Sequence, residues 1–105
     1  MNQLENKNKE KVLNLIGLAT RARKTSMGID IVITSIQKNK AKIAFIANDA
    51  SIESIKKIQD KCNYYNVTSC LLFNSAELNQ AVGKGNIKVV TINDNGFYES
   101  IKTLI

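Results

Sequence analysis

The most restrictive feature of the sequence is the run Lys42-Ile43-Ala44-Phe45-Ile46-Ala47, apolar at every position after the first. A strand open to water on one side alternates polar and apolar residues, so a short continuous run reads as a strand covered on both faces. Such a strand obliges the rest of the chain to supply helices above and below it. From Leu4 to Ala22, residues Val12, Leu13, Leu15, Ile16, Leu18, Ala19 and Ala22 recur at helical spacing and predict one buried stripe. Thr25-Ser26-Met27-Gly28 breaks that pattern and leaves room for a short edge strand. A second helix is predicted from Ile29 to about Asn39, burying Ile29, Val32, Ile33 and Ile36.

Beyond the apolar run, Asn48-Asp49-Ala50-Ser51 reads as a turn, with Ser51 placed to cap a third helix that repeats Ile52, Ile55, Ile58 and Cys62 and ends near Tyr65-Asn66. Thr68 to Phe73 predicts a second buried strand. Ser75 is placed to cap a short helix over Ala76 to Val82, stopped by Gly83. Ile87 to Ile92 is a β-branched third strand, and Asn93-Asp94-Asn95-Gly96 turns into a last helix with Phe97, Ile101 and Leu104. Helix and strand alternate without a single proline, which implies an α/β fold with a mainly parallel sheet and helices on both faces.

The 105 residues, 44% of them apolar, suit one domain over residues 1–105 with one core that needs no metal or disulfide. No stretch reaches the roughly 18–20 apolar residues of a membrane span. The polar start Met1-Asn2-Gln3-Leu4-Glu5-Asn6-Lys7 lacks the apolar run of a signal peptide, so the expected location is the cytoplasm. There Cys62 and Cys70 are expected as reduced, buried thiols; their spacing fits no metal motif.

Chemistry-bearing residues are few. The absence of histidine removes the commonest general acid–base group. Gly83-Lys84-Gly85-Asn86 lacks the spacing of a phosphate-binding loop and follows a helix, so it reads as a helix stop and a loop. Asp30, Asp49, Asp60 and Asp94 are scattered, with no pair spaced as a catalytic dyad or a metal loop. Neither catalysis nor a cofactor is expected.

Charge is more telling. The net charge is +6, and residues 1–42 hold nine of the cations against Glu5, Glu10 and Asp30, while residues 43–105 are balanced. Such asymmetry attracts a polyanion, although a solvated lysine-rich face accounts for it too. Within this region Arg21, Arg23, Lys24 and Thr25 run into Ser26-Met27-Gly28 and a helix start. Basic side chains followed by open helix N–H groups can hold a phosphate backbone; a plain charge cluster and glycine turn is the alternative.

Several blocks match a known family in order: Leu15-Ile16-Gly17-Leu18-Ala19, Arg21-Ala22-Arg23-Lys24, Gly28, Lys40-Ala41-Lys42-Ile43, Ile46-Ala47-Asn48-Asp49-Ala50-Ser51, Asp60 to Val67, and Glu77-Leu78 through Ala81-Val82-Gly83-Lys84. From Val12 to the last helix the chain resembles the ribosomal protein family of L-seven-A-e and L-thirty-e, in the manner of its bacterial YlxQ-type branch. The resemblance implies a three-layer α/β/α sandwich with a four-stranded mixed sheet, and binding to kink-turn RNA.

In the family's RNA-binding members a Gly-x-Asn-Glu-x-x-Lys stretch opens the second helix and reads guanine edges at sheared G·A pairs. The corresponding residues here are Gly28, Asp30, Ile31 and Thr34, of which only the glycine matches. Asp30 accepts but cannot donate, and Ile31 has no polar atom. The family's second RNA-facing loop corresponds to Gly83-Lys84-Gly85-Asn86-Ile87. The resemblance therefore implies contact with structured RNA, ribosomal or kink-turn-containing, through Arg21, Arg23, Lys24, Thr25, Gly28, Asp30, Ile31, Thr34, Lys38, Gly83, Lys84 and Asn86. It implies reduced selectivity, in a monomer that associates with the ribosome. A protein-interaction module on the same fold is the other expectation, favoured by Ile31.

Overall fold

The computed structural model describes residues 6–105. Its elements are α1 (Asn6–Arg21), β1 (Thr25–Met27), α2 (Ile29–Gln37), β2 (Ile43–Ile46), α3 (Ile52–Tyr64), β3 (Thr68–Cys70), α4 (Ser75–Val82), β4 (Val89–Ile92) and α5 (Asn95–Lys102). The expected helix start at Leu4 and most of the polar leader lie outside the described residues.

The four strands form one sheet in the order β1-β4-β2-β3. β4 runs antiparallel to both β1 and β2, while β2 and β3 are parallel. The sheet is thus mixed rather than mainly parallel. Alternation in sequence requires helices between strands, but it does not say which strands become neighbours; here β4, last in sequence, enters between β1 and β2.

Both faces of β2 are buried at every position, as its continuous apolar run predicts, and β4, expected only as a β-branched strand, is buried throughout as well, Thr91 included. On one face Ile43, Phe45, Val90 and Ile92 pack with Val12, Ile16 and Ala19 of α1, Leu78 and Val82 of α4 and Ile101 of α5. On the other, Ala44, Ile46 and Val89 meet Val32 and Ile36 of α2 and Ile58 and Cys62 of α3. The three layers follow directly from these two clusters. Each fully buried Ile, Val or Phe contributes about 1.5–3 kcal/mol, so the sandwich is held from both sides of two central strands.

Where the boundaries differ from expectation, edge position and capping explain them. β3 ends at Cys70 and is exposed or half-buried, because only β2 pairs with it; of the expected Thr68–Phe73 strand, Phe73 alone is buried. Ile52 is 84% exposed in the first turn of α3, and burial rises only from Ile55 toward Ile58 and Cys62. Leu18 and Ala22 likewise stay outside the α1 stripe. The cap of α4 is Asn74, not Ser75: its side chain accepts from Glu77 N–H at 2.8 Å while the Glu77 carboxylate accepts from Asn74 N–H at 3.0 Å. Of the two thiols, Cys62 is buried and Cys70 half-buried, and burial pushes Cys62 up to about 11. Gly17 lets α1 lie close to α4, since a Cβ there would stand 2.9 Å from the Ala81 carbonyl oxygen.

A polar cluster lies inside the α2 layer. The Ser26 and Ser35 hydroxyls bond to each other, Asn93 Nδ2 donates to Ser26 Oγ at 2.8 Å, and Thr91 Oγ1 donates to Asn93 Oδ1 at 3.0 Å. These bonds tie β1, β4 and α2 together. Buried polar groups stabilise only when paired. Ser26→Ala leaves Asn93 and Ser35 short of a partner and should lower stability by about 1–3 kcal/mol, measured as a lower urea midpoint with an unchanged slope.

Candidate nucleic-acid interface

Because β4 is antiparallel to its neighbours, its first residue marks one edge of the sheet where other elements converge. Gly28 N–H donates to the Val89 carbonyl at 3.3 Å, and Ala47 N–H donates to that of Lys88 at 2.8 Å. The starts of α2, α3 and α4, which follow β1, β2 and β3, therefore gather at the edge where the Gly83–Lys88 loop enters β4.

α2 differs from the other helices beginning after a strand. Ser51, Asn74 and Asp94 cap α3, α4 and α5 with side-chain oxygens. Gly28 caps α2 with no side chain, at φ 88°, where glycine is the natural occupant. The first-turn N–H groups of α2 thus keep their donors, at the positive end of the helix dipole. Asp30, Ile31 and Thr34 are all exposed on the opening turns, Ile31 at 62%. The Thr34 hydroxyl donates to the Asp30 carbonyl at 3.1 Å, which occupies its proton within the helix. Ile31, Thr34 and Lys38 share one exposed stripe by their three- and four-residue spacing.

Across this edge, Gly83 ends α4 at φ 74°, and Gly83 to Asn86 are exposed. Asn79 holds both ends of the loop: its backbone carbonyl accepts from Lys84 N–H at 3.1 Å and its Oδ1 accepts from Ile87 N–H at 2.8 Å. Lys84 and Asn86 are left facing solvent on a loop with fixed ends. Neither Asn79 nor the next pair was signalled by composition or spacing. Asp49 accepts from Ser75 N–H at 2.9 Å and from the Ser75 hydroxyl at 2.8 Å, which joins the start of α4 to the turn before α3. The Ser75 hydroxyl and then its backbone N–H hold the Asp49 carboxyl below its usual range. That support is present above the ordinary carboxylate pKa and is lost as pH falls through the lowered value.

The expected single surface from Arg21 through Gly28 divides in two. Lys24 accepts from Asn93 N–H at 2.8 Å through its carbonyl, at the far end of β4. Four extended residue steps take the chain from Lys24 to Gly28, or about 13 Å. Thr25 is half-buried as the first residue of β1 and pairs with Ile92. Arg21 lines an open groove between α1 and α4 with Glu10, Leu13, Leu18, Glu77 and Gln80. Lys38 closes the C-terminal end of α2 and so lies on the Lys24 side. The edge at the α2 start thus brings together Gly28, Asp30, Ile31 and Thr34 with the loop bearing Gly83, Lys84 and Asn86, while Arg21, Arg23, Lys24 and Lys38 lie elsewhere.

Comparison with known proteins agrees with this arrangement of elements. Two relatives, both called RNA-binding protein YlxQ, are 49% identical over 98 residues (Enterococcus faecium; 93% of this chain and 94% of the relative) and 41% identical over 91 residues (Bacillus subtilis; 87% and 91%). A solved protein of unknown function from Bacillus halodurans superposes with a TM-score of 0.84 at 33% identity, covering 90% of this chain and 95% of that one. The Giardia lamblia 15.5kD RNA binding protein shares the fold, with a TM-score of 0.83 at 17% identity over 95% and 86% of the two chains. Residues 10–102 match the Ribosomal protein L7Ae/L30e/S12e/Gadd45 family, and the chain belongs to that family.

Proposed function

We propose that this protein is a non-enzymatic binder of structured RNA and that the edge at the start of α2 is its principal RNA-facing surface. The observation that carries this reading is the Gly28 N–H to Val89 carbonyl bond, which sets an uncapped helix start beside the Gly83–Lys88 loop. Two backbone-rich, solvent-facing segments on one edge suit a partner that offers phosphates to N–H donors and to Lys84. The relatives called RNA-binding proteins support the same partner class. The partner is ribosomal or kink-turn-containing RNA, met in the cytoplasm by a monomer that associates with the ribosome. No helix among the described residues is long and apolar enough to cross a membrane.

Selectivity for the kink-turn is reduced in this reading. Base contacts specify and phosphate contacts position, and the exposed side chains that meet a base edge here are a carboxylate, an isoleucine and a threonine whose hydroxyl is already engaged. The 62% exposure of Ile31 favours one second reading, a protein-interaction module on this fold. Gel shifts at moderate salt with a kink-turn RNA and a plain duplex separate the two: measurable affinity for RNA supports the first, and none for either RNA supports the second.

Two variants sharpen the test. Lys84→Ala should weaken kink-turn RNA binding several-fold and reduce the salt slope by about 0.7–0.9, the value for one phosphate contact. The double change Asp30→Asn with Ile31→Glu should raise the preference for kink-turn over duplex by about tenfold, since a good base-edge pair discriminates by about 1–3 kcal/mol. An unchanged preference in the double variant would place base reading outside α2.

A further inference from the structure

At the opposite edge of the sheet, Arg23, Lys24, Lys38, Lys40 and Lys42 come together. The registers Thr25↔Ile92 and Ile43↔Ile92 place Lys24, Asn93 and Lys42 in the next row outward. Strands lie about 4.8 Å apart, so Lys24 and Lys42 stand about 10 Å apart across Asn93. This row shares the sheet face of Ser26 and Thr91, where Ser35 of α2 joins them. Lys38 and Lys40 follow at the C-terminal end of α2, whose dipole favours cations there.

The charges of this group are uncommitted. Arg23, Lys24, Lys38 and Lys40 are exposed and Lys42 is half-buried. Among the described residues the ion pairs are Lys9–Glu77 and Lys56–Asp60, and neither involves these five. The acid adjoining the row, Asp94, accepts from Phe97 N–H as the cap of α5. The patch also lacks an apolar anchor: Asn39 is polar and Ala41 is buried. Protein interfaces are centred on buried aromatic or aliphatic anchors and are depleted in lysine. An anchorless lysine group suits a phosphate backbone instead.

Arg23 carries a second signal. α1 ends with Lys24 N–H bonded to the Ala19 carbonyl at 2.8 Å and Arg23 N–H to that of Thr20 at 3.0 Å. This termination needs a left-handed residue, usually glycine or asparagine. Asn39, Asn66 and Gly83 fill such positions elsewhere, but here Arg23 does so at φ 61°. A strained arginine in place of glycine retains a charge at this edge at the expense of backbone comfort.

We propose that this cationic edge is a second nucleic-acid contact that grips an RNA duplex by its phosphates, independently of the edge at the α2 start. One copy then holds two RNA segments at opposite ends of α2, about 13 Å apart along its nine residues. Only the bridging step rests on the RNA reading of the first edge; duplex binding at the cationic edge stands alone.

The test uses the full chain with a kink-turn RNA and a differently labelled plain RNA duplex. A ternary complex containing both labels is expected. The Lys40→Gln, Lys42→Gln double variant should bind duplex about fivefold to tenfold more weakly, with the salt slope reduced by nearly two contacts, and keep its kink-turn affinity within twofold. Arg23→Gly should also weaken duplex binding while raising the unfolding midpoint, which separates lost charge from lost fold. Mutual exclusion of the two RNAs, duplex affinity indifferent to Lys40 and Lys42, or preference for anionic vesicles or an acidic peptide over duplex would each overturn the proposal. Failure of the first-edge reading appears separately, as kink-turn binding that is indifferent to Lys84→Ala while duplex binding still depends on Lys40 and Lys42.

Discussion

The two hydrogen-bonded ladders of β4 are the constraint on which the molecule depends. Val89 to Ile92 pair with β1 on one side and β2 on the other, and every one of these residues is buried. Antiparallel pairing on both sides gives the sheet two unlike edges. At the β4 start, the chain turns from strands into α2, α3 and α4 and the Gly83–Lys88 loop enters; at the β4 end, Lys24 and Lys42 flank Asn93. The polar cluster of Ser26, Ser35, Thr91 and Asn93 then locks α2 onto this frame. A shift of β4 by one residue would move its apolar side chains to the wrong faces and displace both edges together.

This frame accounts for the division of labour in the charges. The helix start at Gly28 offers backbone donors with few side-chain cations nearby in sequence, whereas the C-terminal end of α2 gathers lysines where the dipole welcomes them. In the proposed reading, an aspartate and an isoleucine on the opening turn of α2 leave RNA contact to backbone shape and charge more than to base edges. Contact with RNA and selectivity among RNAs are accordingly separate properties, carried by different atoms.

Much of this was legible in the residues. The continuous apolar run located β2, the β-branched segment located β4, the stripe of Val12, Ile16 and Ala19 located α1, and matching family blocks implied the mixed sheet. Strand order was not legible, because insertion of β4 between β1 and β2 is a long-range choice that local periodicity does not record. The exposure of Ile52 was equally hidden: its spacing fits the α3 stripe, but burial depends on where the helix meets the sheet. At the candidate site, Gly28 and the Gly83 loop were expectations of the family resemblance, while Asn79, which holds that loop, looked like any helical polar residue. Arg23 and Lys24 lie apart from Gly28 for a geometric reason, since nearness in sequence along a strand is distance in space.

The central claim is that RNA meets the edge formed by the α2 start and the Gly83–Lys88 loop. Amide chemical-shift mapping during titration with kink-turn RNA tests it most directly. The account predicts the largest and earliest shifts at Gly28 to Ile31 and at Gly83 to Lys88, with the α1–α4 groove residues Leu13, Asn14 and Gln80 unmoved. Shifts concentrated in that groove, or on α3 and β3, with Gly28 and Lys84 unchanged, would contradict it.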